Sequence, residues 1–169
     1  MGNKTKRVAL IGLLTCFIYI GRVTFTFLPN VQPMTTMLVL IVLTIGLKYG
    51  LTVALLSLVV SNLSMGFGVW TLAQLVSFTV ILLAIAPLRR YYDKLPVVVV
   101  GVATALLGLL YGLVISLVQA PFFGWASFIP YYISGLPYDI YHAIGNFCFY
   151  MLLAPIMIPI INKRATWFK

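Results

Sequence analysis

An aspartate, a histidine and an asparagine lie close together in the apolar stretch "GLPYDIYHAIGNF" (residues 135–147). Asp139, His142 and Asn146 follow the spacing i, i+3 and i+7, which places them on one face of an α-helix. They can exchange hydrogen bonds with a ligand or with each other, and a carboxylate near an imidazole can also transfer protons. Such a face is costly against lipid. We therefore expect it either to bond a neighbouring helix or to line a pocket for a solute.

A second unusual side chain is Arg22, within the apolar run "CFIYIGRVTFTFL" (residues 16–28). A charge in a membrane helix costs at least about 2.5 kcal/mol and usually faces a partner or a cavity. Asp139 is the acid expected in the same half of the membrane, since Asp93 stands among loop cations. Two arrangements remain open: Arg22 reaches the outer headgroups, or it pairs with Asp139 near the outer rim.

The composition indicates an integral membrane protein. Of the 169 residues, 63% are hydrophobic and 8% are charged, against about 25% charged in soluble domains. We expect one all-α domain over residues 1–169. The second and third of its predicted spans are short for a full crossing of the membrane. Cys16 and Cys148 lie in apolar runs and are predicted to be buried thiols. The six predicted transmembrane helices are residues 7–27, 34–47, 50–65, 71–88, 96–118 and 136–161.

The cations are confined to alternate connections. The connections after the first, third and fifth spans contain no Lys or Arg. Because cytoplasmic loops are the cation-rich ones, both termini and the 89–94 loop are predicted to be cytoplasmic. Apart from Arg22, the cations are Lys4, Lys6, Arg7, Lys48, Arg89, Arg90, Lys94, Lys163, Arg164 and Lys169.

The three uncharged connections are rich in glycine, proline and aromatic residues. They are residues 28–33 ("LPNVQP"), 64–70 ("SMGFGVW") and 119–132 ("QAPFFGWASFIPYY"). Aromatic belts at the membrane surface would explain this composition without any binding role. Loops of this kind also cap ligand pockets, so both interpretations stay open.

Motifs for catalysis and for nucleotide binding are absent from the sequence, which has no P-loop, no G-x-G-x-x-G and no C-x-x-C. One histidine with one aspartate supplies at most two metal ligands. We therefore expect no enzymatic activity, no metal site and no cofactor of the chain's own. If the protein transports a solute, we expect the energy to come from a partner.

Three stretches of the outer half of the chain carry recognisable motifs: R-x-x-F-x-x-x-P-N-V-Q-P-x-T (22–35), S-N-x-x-x-G-x-G-x-W-T-x-x-Q (61–74) and G-L-P-Y-D-x-x-H-A-I-G-N-F (135–147). With these motifs the chain resembles the S components of energy-coupling factor (ECF) vitamin transporters, and most of all those assigned to cobalamin uptake. The resemblance implies six helices that bind a vitamin near the outer face. It also implies partners, a transmembrane coupling subunit and two cytoplasmic ATPases that use ATP, toward which the S component topples with its ligand.

The predicted ligand contacts combine amide, imidazole and charged side chains, which would suit an amide-decorated corrinoid such as cobalamin. Imidazole is also a good ligand for cobalt. His142 is therefore expected to bond the ligand or a neighbouring helix, with coordination of cobalt as an alternative. The predicted substrate-binding residues are Arg22, Asn30, Gln32, Trp70, Gln74, Asp139, His142 and Asn146.

S components usually carry an Ala-x-x-x-Ala motif on the first span, where they contact the coupling subunit. In this chain Ala9 is followed by Leu13, which departs from the motif. Gly12 and Cys16 form a small-x-x-x-small pair that also allows close helix approach. The predicted contact with the coupling subunit is therefore Ala9, Gly12 and Cys16.

Other functions stay open. The chain could serve another vitamin, such as folate or pantothenate. It could also be a self-sufficient transporter or channel gated by Arg22 and Asp139, or, least favoured, an intramembrane enzyme that uses His142 and Asp139. In each case we expect a multi-pass protein of a bacterial cell membrane, with no nucleic acid partner.

Overall fold

The computed structural model describes residues 2–164 and 167, and this part of the chain is all-helical, with no strand. Two 3₁₀ helices, Ala86–Lys94 and Trp125–Ser127, follow the fourth and fifth α-helices. The six α-helices are α1 (Asn3–Thr24), α2 (Met34–Thr44), α3 (Leu47–Met65), α4 (Val69–Ile85), α5 (Val97–Phe123) and α6 (Phe128–Asn162).

Five of these helices are long and apolar enough to cross a membrane: α1, α3, α5, α6, and α4 with its 3₁₀ extension. Their outer faces carry exposed apolar side chains such as Phe17, Leu106 and Ile144, as expected for helices surrounded by lipid. The chain is therefore a multi-pass membrane protein. Cys16 and Cys148 lie on such faces and are exposed, so the prediction of buried thiols is wrong. A thiol is apolar enough to face lipid without a hydrogen-bond partner.

The remaining helix, α2, is the short centre of the bundle. Its 11 residues extend about 16 Å, roughly half of the ~30 Å hydrocarbon core. Residues 34–43 are all buried, and α2 contacts each of the other five helices. A helix that is apolar on every side is one that other helices surround. A full span over residues 34–47 is therefore not confirmed.

The third uncharged connection is mostly helical, so the prediction of a loop over residues 119–132 is wrong. α5 continues to Phe123 and α6 begins at Phe128, with only a short turn between them. Gly124 reverses the chain with φ of 89°, a conformation that favours glycine. Pro137, predicted near the start of the last span, lies inside α6. Proline is tolerated there because neighbouring helices and waters can satisfy the freed backbone groups.

The cations at the two ends of the chain come together around one tryptophan. Arg7 Nε donates a hydrogen bond to the backbone oxygen of Trp167. Lys6 Nζ lies 5.6 Å from the centroid of this ring, and the guanidinium of Arg164 lies 5.9 Å from it. The start of α1 therefore packs beside the chain that follows α6. Lys169 falls outside the described residues.

The α2–α3 turn and the first 3₁₀ helix bring further cations to the same end. Arg89 Nη2 donates to the backbone oxygen of Ile45 at 2.9 Å. Close contacts between α2 and α3, and between α5 and α6, show neighbouring helices running in opposite directions. Because direction alternates, this turn, the 3₁₀ helix and both described ends of the chain share one end of the bundle, which we call the basic end. Its cytoplasmic orientation stays a prediction.

Candidate functional site

Two adjoining cavities lie at the end of the bundle opposite the basic end. One has a volume of about 350 Å³ and includes Asp139; the other has about 260 Å³ and includes Arg22. We call them the aspartate cavity and the arginine cavity. Asn30, Gln32 and Gln74 line both. The two cavities therefore form one candidate site in two parts.

Asn30 is held in place by α6. It lies in the turn between α1 and α2 with φ of 59°, a left-handed conformation that asparagine tolerates better than most residues. Its Nδ2 donates to the backbone oxygen of Tyr138 at 3.1 Å. Its backbone oxygen accepts a hydrogen bond from His142 Nδ1 at 2.9 Å. These two bonds leave the side-chain oxygen of Asn30 as an acceptor at the cavities.

The other two shared amides also keep hydrogen-bonding capacity for a ligand. Gln74, on α4, accepts a hydrogen bond through Oε1 from Asn62 Nδ2 at 3.4 Å, so its amide donors remain available. Gln32 makes no hydrogen bond with the described residues. Since a side-chain amide both donates and accepts, the three together can recognise a ligand with either kind of group.

Arg22 lies at the wall of the arginine cavity with only 8% of its surface exposed. Its Nη1 donates to Ser61 Oγ at 2.8 Å, and this hydroxyl donates to the backbone oxygen of Leu58 at 3.2 Å. The guanidinium has five N–H donors, and no other hydrogen bond joins it to the described residues. Most of its donors are thus free to meet a ligand.

Asp139 lies at the wall of the aspartate cavity, 6% exposed, and accepts no hydrogen bond from the described residues. Its carboxylate packs over α5 at Gly112, where an added Cβ would fall 1.9 Å from Oδ2. No ion pair joins it to Arg22 within residues 2–164 and 167, so the predicted pair is not found. The reason is positional, because Ser61 on α3 holds Arg22 while Asp139 lies against α5.

His142 is buried within the bundle, with 1% of its surface exposed. Its Nδ1 lies 2.9 Å from the backbone oxygen of Asn30, and its Nε2 lies 3.0 Å from Thr35 Oγ1. Because a carbonyl oxygen only accepts, Nδ1 donates and Nε2 accepts from the threonine hydroxyl. The ring stacks on Tyr111, with 5.3 Å between centroids. Both nitrogens are therefore occupied by these bonds, and neither is free to bond a ligand or to coordinate cobalt.

Asn146 is also an interhelical residue. It is fully buried, its Nδ2 donates to the backbone oxygen of Thr104 at 3.4 Å, and its backbone oxygen accepts from Thr36 Oγ1 at 3.0 Å. Its side-chain oxygen has no partner. We call Thr35, Thr36, His142 and Asn146 the polar layer. This layer joins α2 to α6 beneath the cavities.

Trp70 lines neither cavity. Its side chain is 46% exposed, and the ring folds back over Gly68, where an added Cβ would lie 2.3 Å from it. With His142 and Asn146, it is one of three predicted contact residues that the structure leaves away from the cavities. The five that line a cavity are Arg22, Asn30, Gln32, Gln74 and Asp139.

The predicted contact for a coupling subunit lies on an uncovered face of α1. Ala9, Gly12 and Cys16 are all exposed. A Cβ added at Gly12 would meet nothing within 4 Å. This face could therefore take a larger side chain without disturbing the bundle.

Several further residues of the aspartate cavity were not predicted. Tyr131, Ser134 and Tyr138 line it from α6, and Tyr111 and Gly112 line it from α5. The three α6 residues continue, at helical spacing, the polar face predicted from residue 139 onward. Tyr131 was not predicted because residues 119–132 were assigned to a loop, and Ser134 lies just before the sixth predicted span. Tyr138 lies inside that span but was not recognised as a lining residue.

The site offers hydrogen bonding and charge. It combines amides and hydroxyls with one acid and one base, and the described residues contain no group of three His, Cys, Asp or Glu side chains that could hold a metal ion. Comparison with protein families, with curated proteins and with solved structures gives no match for this chain. The chemistry of the cavities and the sequence motifs are therefore the grounds for assigning a function.

Proposed function

We propose that the protein is the substrate-binding membrane subunit, or S component, of an ECF transporter that takes up cobalamin or a related corrinoid. The observation that carries the proposal is the pair of adjoining cavities bridged by three amides, at the end of the bundle opposite the cations. By the positive-inside rule the basic end is cytoplasmic, so the cavities open to the outside. The motifs at residues 22–35, 61–74 and 135–147 support the same function, because all five cavity-lining residues that were predicted fall within them.

The chemistry of the site suits a large ligand with many amide groups. A corrinoid has primary amides around its ring, and Asn30, Gln32 and Gln74 can donate to them and accept from them. Each cavity alone is small or at the lower limit for ligand pockets, which occupy about 300–1,000 Å³. A ligand as large as a corrinoid would therefore contact both cavities and extend beyond them. His142 contributes indirectly, by holding the backbone of Asn30.

Binding can be measured on the purified protein by isothermal titration calorimetry with cobalamin. Gln32→Ala removes an amide shared by both cavities, and we expect affinity to fall by about tenfold. Asn162→Ala, which removes an exposed amide near the other end of α6, is the matched control and should leave affinity unchanged. Failure of the wild type to bind any corrinoid would contradict the proposed substrate.

As an S component the chain would depend on partners for ATP-driven uptake, since its own sequence contains no nucleotide-binding motif. A coupling subunit and two ATPases would supply the energy, and the coupling subunit would dock at Ala9, Gly12 and Cys16. Gly12→Trp should stop ATP-driven uptake by the assembled complex and leave cobalamin binding by the isolated subunit intact. Leu106→Trp, on the exposed face of α5, is the matched control. Equal loss of binding and uptake in Gly12→Trp would indicate a folding defect instead.

Other substrates and a self-sufficient transporter are distinguished by reconstitution. In liposomes without ATPases, an S component binds its ligand but sustains no uptake. Sustained flux by the chain alone would favour a self-sufficient transporter. Binding of folate or pantothenate in place of cobalamin would keep the S component function and change the vitamin.

A further inference from the structure

The two buried charges of the site lack the partners that buried charges normally have. Asp139 accepts no hydrogen bond from the described residues, and Arg22 donates only one, to Ser61. Both are more than nine-tenths buried. A buried charge without a partner is strongly unfavourable, yet these two belong to adjoining cavities without pairing. Each is therefore positioned to meet a charge or dipole that arrives with a ligand.

The two cavities select opposite kinds of groups. The planar guanidinium of Arg22 matches the geometry of a phosphate or carboxylate, which it can bond with two parallel N–H donors. The carboxylate of Asp139 only accepts, so its partner must be an N–H or O–H group, such as an amine or a primary amide. The shared amides can serve the neutral part of the ligand between these two ends.

We propose that the site takes a polar ligand in a fixed orientation, with an anionic group on Arg22 and a hydrogen-bond donor group on Asp139. The inference rests on the proposed function and specifies its ligand class. A corrinoid with a nucleotide loop meets both requirements, since it has a phosphodiester and several primary amides. The phosphodiester belongs in the arginine cavity and the ring amides belong in the aspartate cavity.

Gly112 is a positioning residue in this arrangement. Its missing side chain leaves the space that the Asp139 carboxylate fills, because an added Cβ would lie 1.9 to 2.1 Å from the carboxylate atoms. Even an alanine at this position would push the carboxylate away from α5. The site thus depends on a glycine that need not touch the ligand through a side chain.

The orientation is tested by comparing cobalamin with cobinamide, which keeps the ring amides but lacks the nucleotide loop and its phosphodiester. Calorimetry should show that Arg22→Gln weakens cobalamin by about 10–100-fold, as expected for a hydrogen bond to a charged group, and changes cobinamide affinity less than threefold. Asp139→Asn should weaken both ligands to a similar extent. Arg164→Gln, at the basic end, is the matched control. Equal weakening of both ligands by Arg22→Gln would overturn the assignment of the anion.

A second measurement keeps the inference separate from the corrinoid assignment. Inorganic phosphate at millimolar concentration should raise the melting temperature of the wild type and of Arg164→Gln, but not that of Arg22→Gln. Acetate tests whether a carboxylate can replace phosphate. Stabilisation by phosphate without corrinoid binding would refute the proposed substrate and retain the anion site. No stabilisation by either anion, together with no corrinoid binding, would refute both.

Two further comparisons guard against loss of folding. If Arg22→Gln does not fold, the wild type alone remains informative, because cobinamide should bind at least tenfold more weakly than cobalamin. Equal affinities would overturn the proposal. Gly112→Ala should weaken cobalamin and cobinamide as Asp139→Asn does, whereas Gly12→Ala, which meets open space, should change neither. Unchanged binding by Gly112→Ala would refute the positioning role.

Discussion

The polar layer and the cavity charges differ in their hydrogen bonding, although Asp139 at the cavity lies about one helical turn from His142 in the layer. In the polar layer, His142 Nε2 and the hydroxyls of Thr35 and Thr36 form bonds between α2 and α6, and His142 Nδ1 bonds the turn that precedes α2. At the cavities, Asp139 has no such bond and Arg22 has one. Yet Asp139 and His142 share one face of α6. Position on a helix face therefore does not distinguish a structural residue from a ligand contact.

The difference between the two regions is what lies opposite them. Below the cavities, the short α2 fills the bundle and supplies threonine hydroxyls to α6. Above its first residues no helix continues α2, and the space is left to the turn that contains Asn30 and Gln32. The short central helix thus leaves room for the cavities. We expect mutations in the polar layer to cost stability and mutations at the cavities to cost affinity.

The largest expected effect comes from two glycines one turn apart on α5. A Cβ added at Gly108 would lie 2.8 Å from the backbone nitrogen of Ala143 and 2.8 Å from His142 Cδ2, whereas the atoms nearest to one at Gly112 belong to the Asp139 side chain. Gly108→Val should lower the free energy of unfolding by about 3 kcal/mol or more, because α6 itself must move. Thermal unfolding in detergent measures this loss. A smaller loss of unfolding free energy for Gly108→Ala than for Gly112→Ala would contradict the distinction between the polar layer and the cavities.

The next effect concerns the histidine of the polar layer. His142→Ala leaves Thr35 Oγ1 and the backbone oxygen of Asn30 without their partners and opens a cavity beside Tyr111. We expect a loss of about 2–3 kcal/mol in unfolding free energy. Asp139→Asn, on the same helix face, should lose less than about 1 kcal/mol, because no hydrogen bond is broken. Equal destabilisation by the two substitutions, measured by chemical unfolding, would show that Asp139 is structural as well.

A smaller effect is expected at Asn146, where the polar layer is incomplete. Its side-chain oxygen is buried without a partner, and its Nδ2 makes one long bond of 3.4 Å. Asn146→Leu keeps the number and branching of the side-chain heavy atoms and removes the unpaired group, so stability should change by less than about 1 kcal/mol in either direction. Cobalamin affinity should stay within twofold of the wild type. A tenfold loss of cobalamin affinity in a variant that still folds would indicate that Asn146 contacts the ligand.

The smallest effect is the direct coupling between Arg22 and Asp139. Since no ion pair joins them in the described chain, the losses of Arg22→Gln and Asp139→Asn should add to within about 0.5 kcal/mol in a double-mutant cycle of unfolding free energy without ligand. A coupling energy of about 2 kcal/mol between Arg22 and Asp139 would support the predicted ion pair. It would also remove the reason for expecting a ligand with two different ends.

Much of the site could be predicted from residue type and spacing alone. Charged and amide side chains are rare in a chain of this composition, so Arg22, Asn30, Gln32, Gln74 and Asp139 were recognisable as exceptions. Burial of the two charged residues, Arg22 and Asp139, in a membrane protein has a cost, which is why such residues mark a site. Trp70 was predicted from its place in the motif at residues 61–74, and nothing in the sequence indicated that the ring would fold over Gly68.

The sequence by itself determined the all-helical membrane class and the segregation of cations into alternate connections, because these follow from composition and from the order of charges along the chain. The tertiary structure alone decided that α2 is a short central helix and that His142 and Asn146 bond it while Asp139 meets a cavity. It also decided that Arg22 bonds Ser61 instead of pairing with Asp139. These outcomes depend on which helix lies opposite each side chain. A helical period specifies a face but not the neighbour that the face meets.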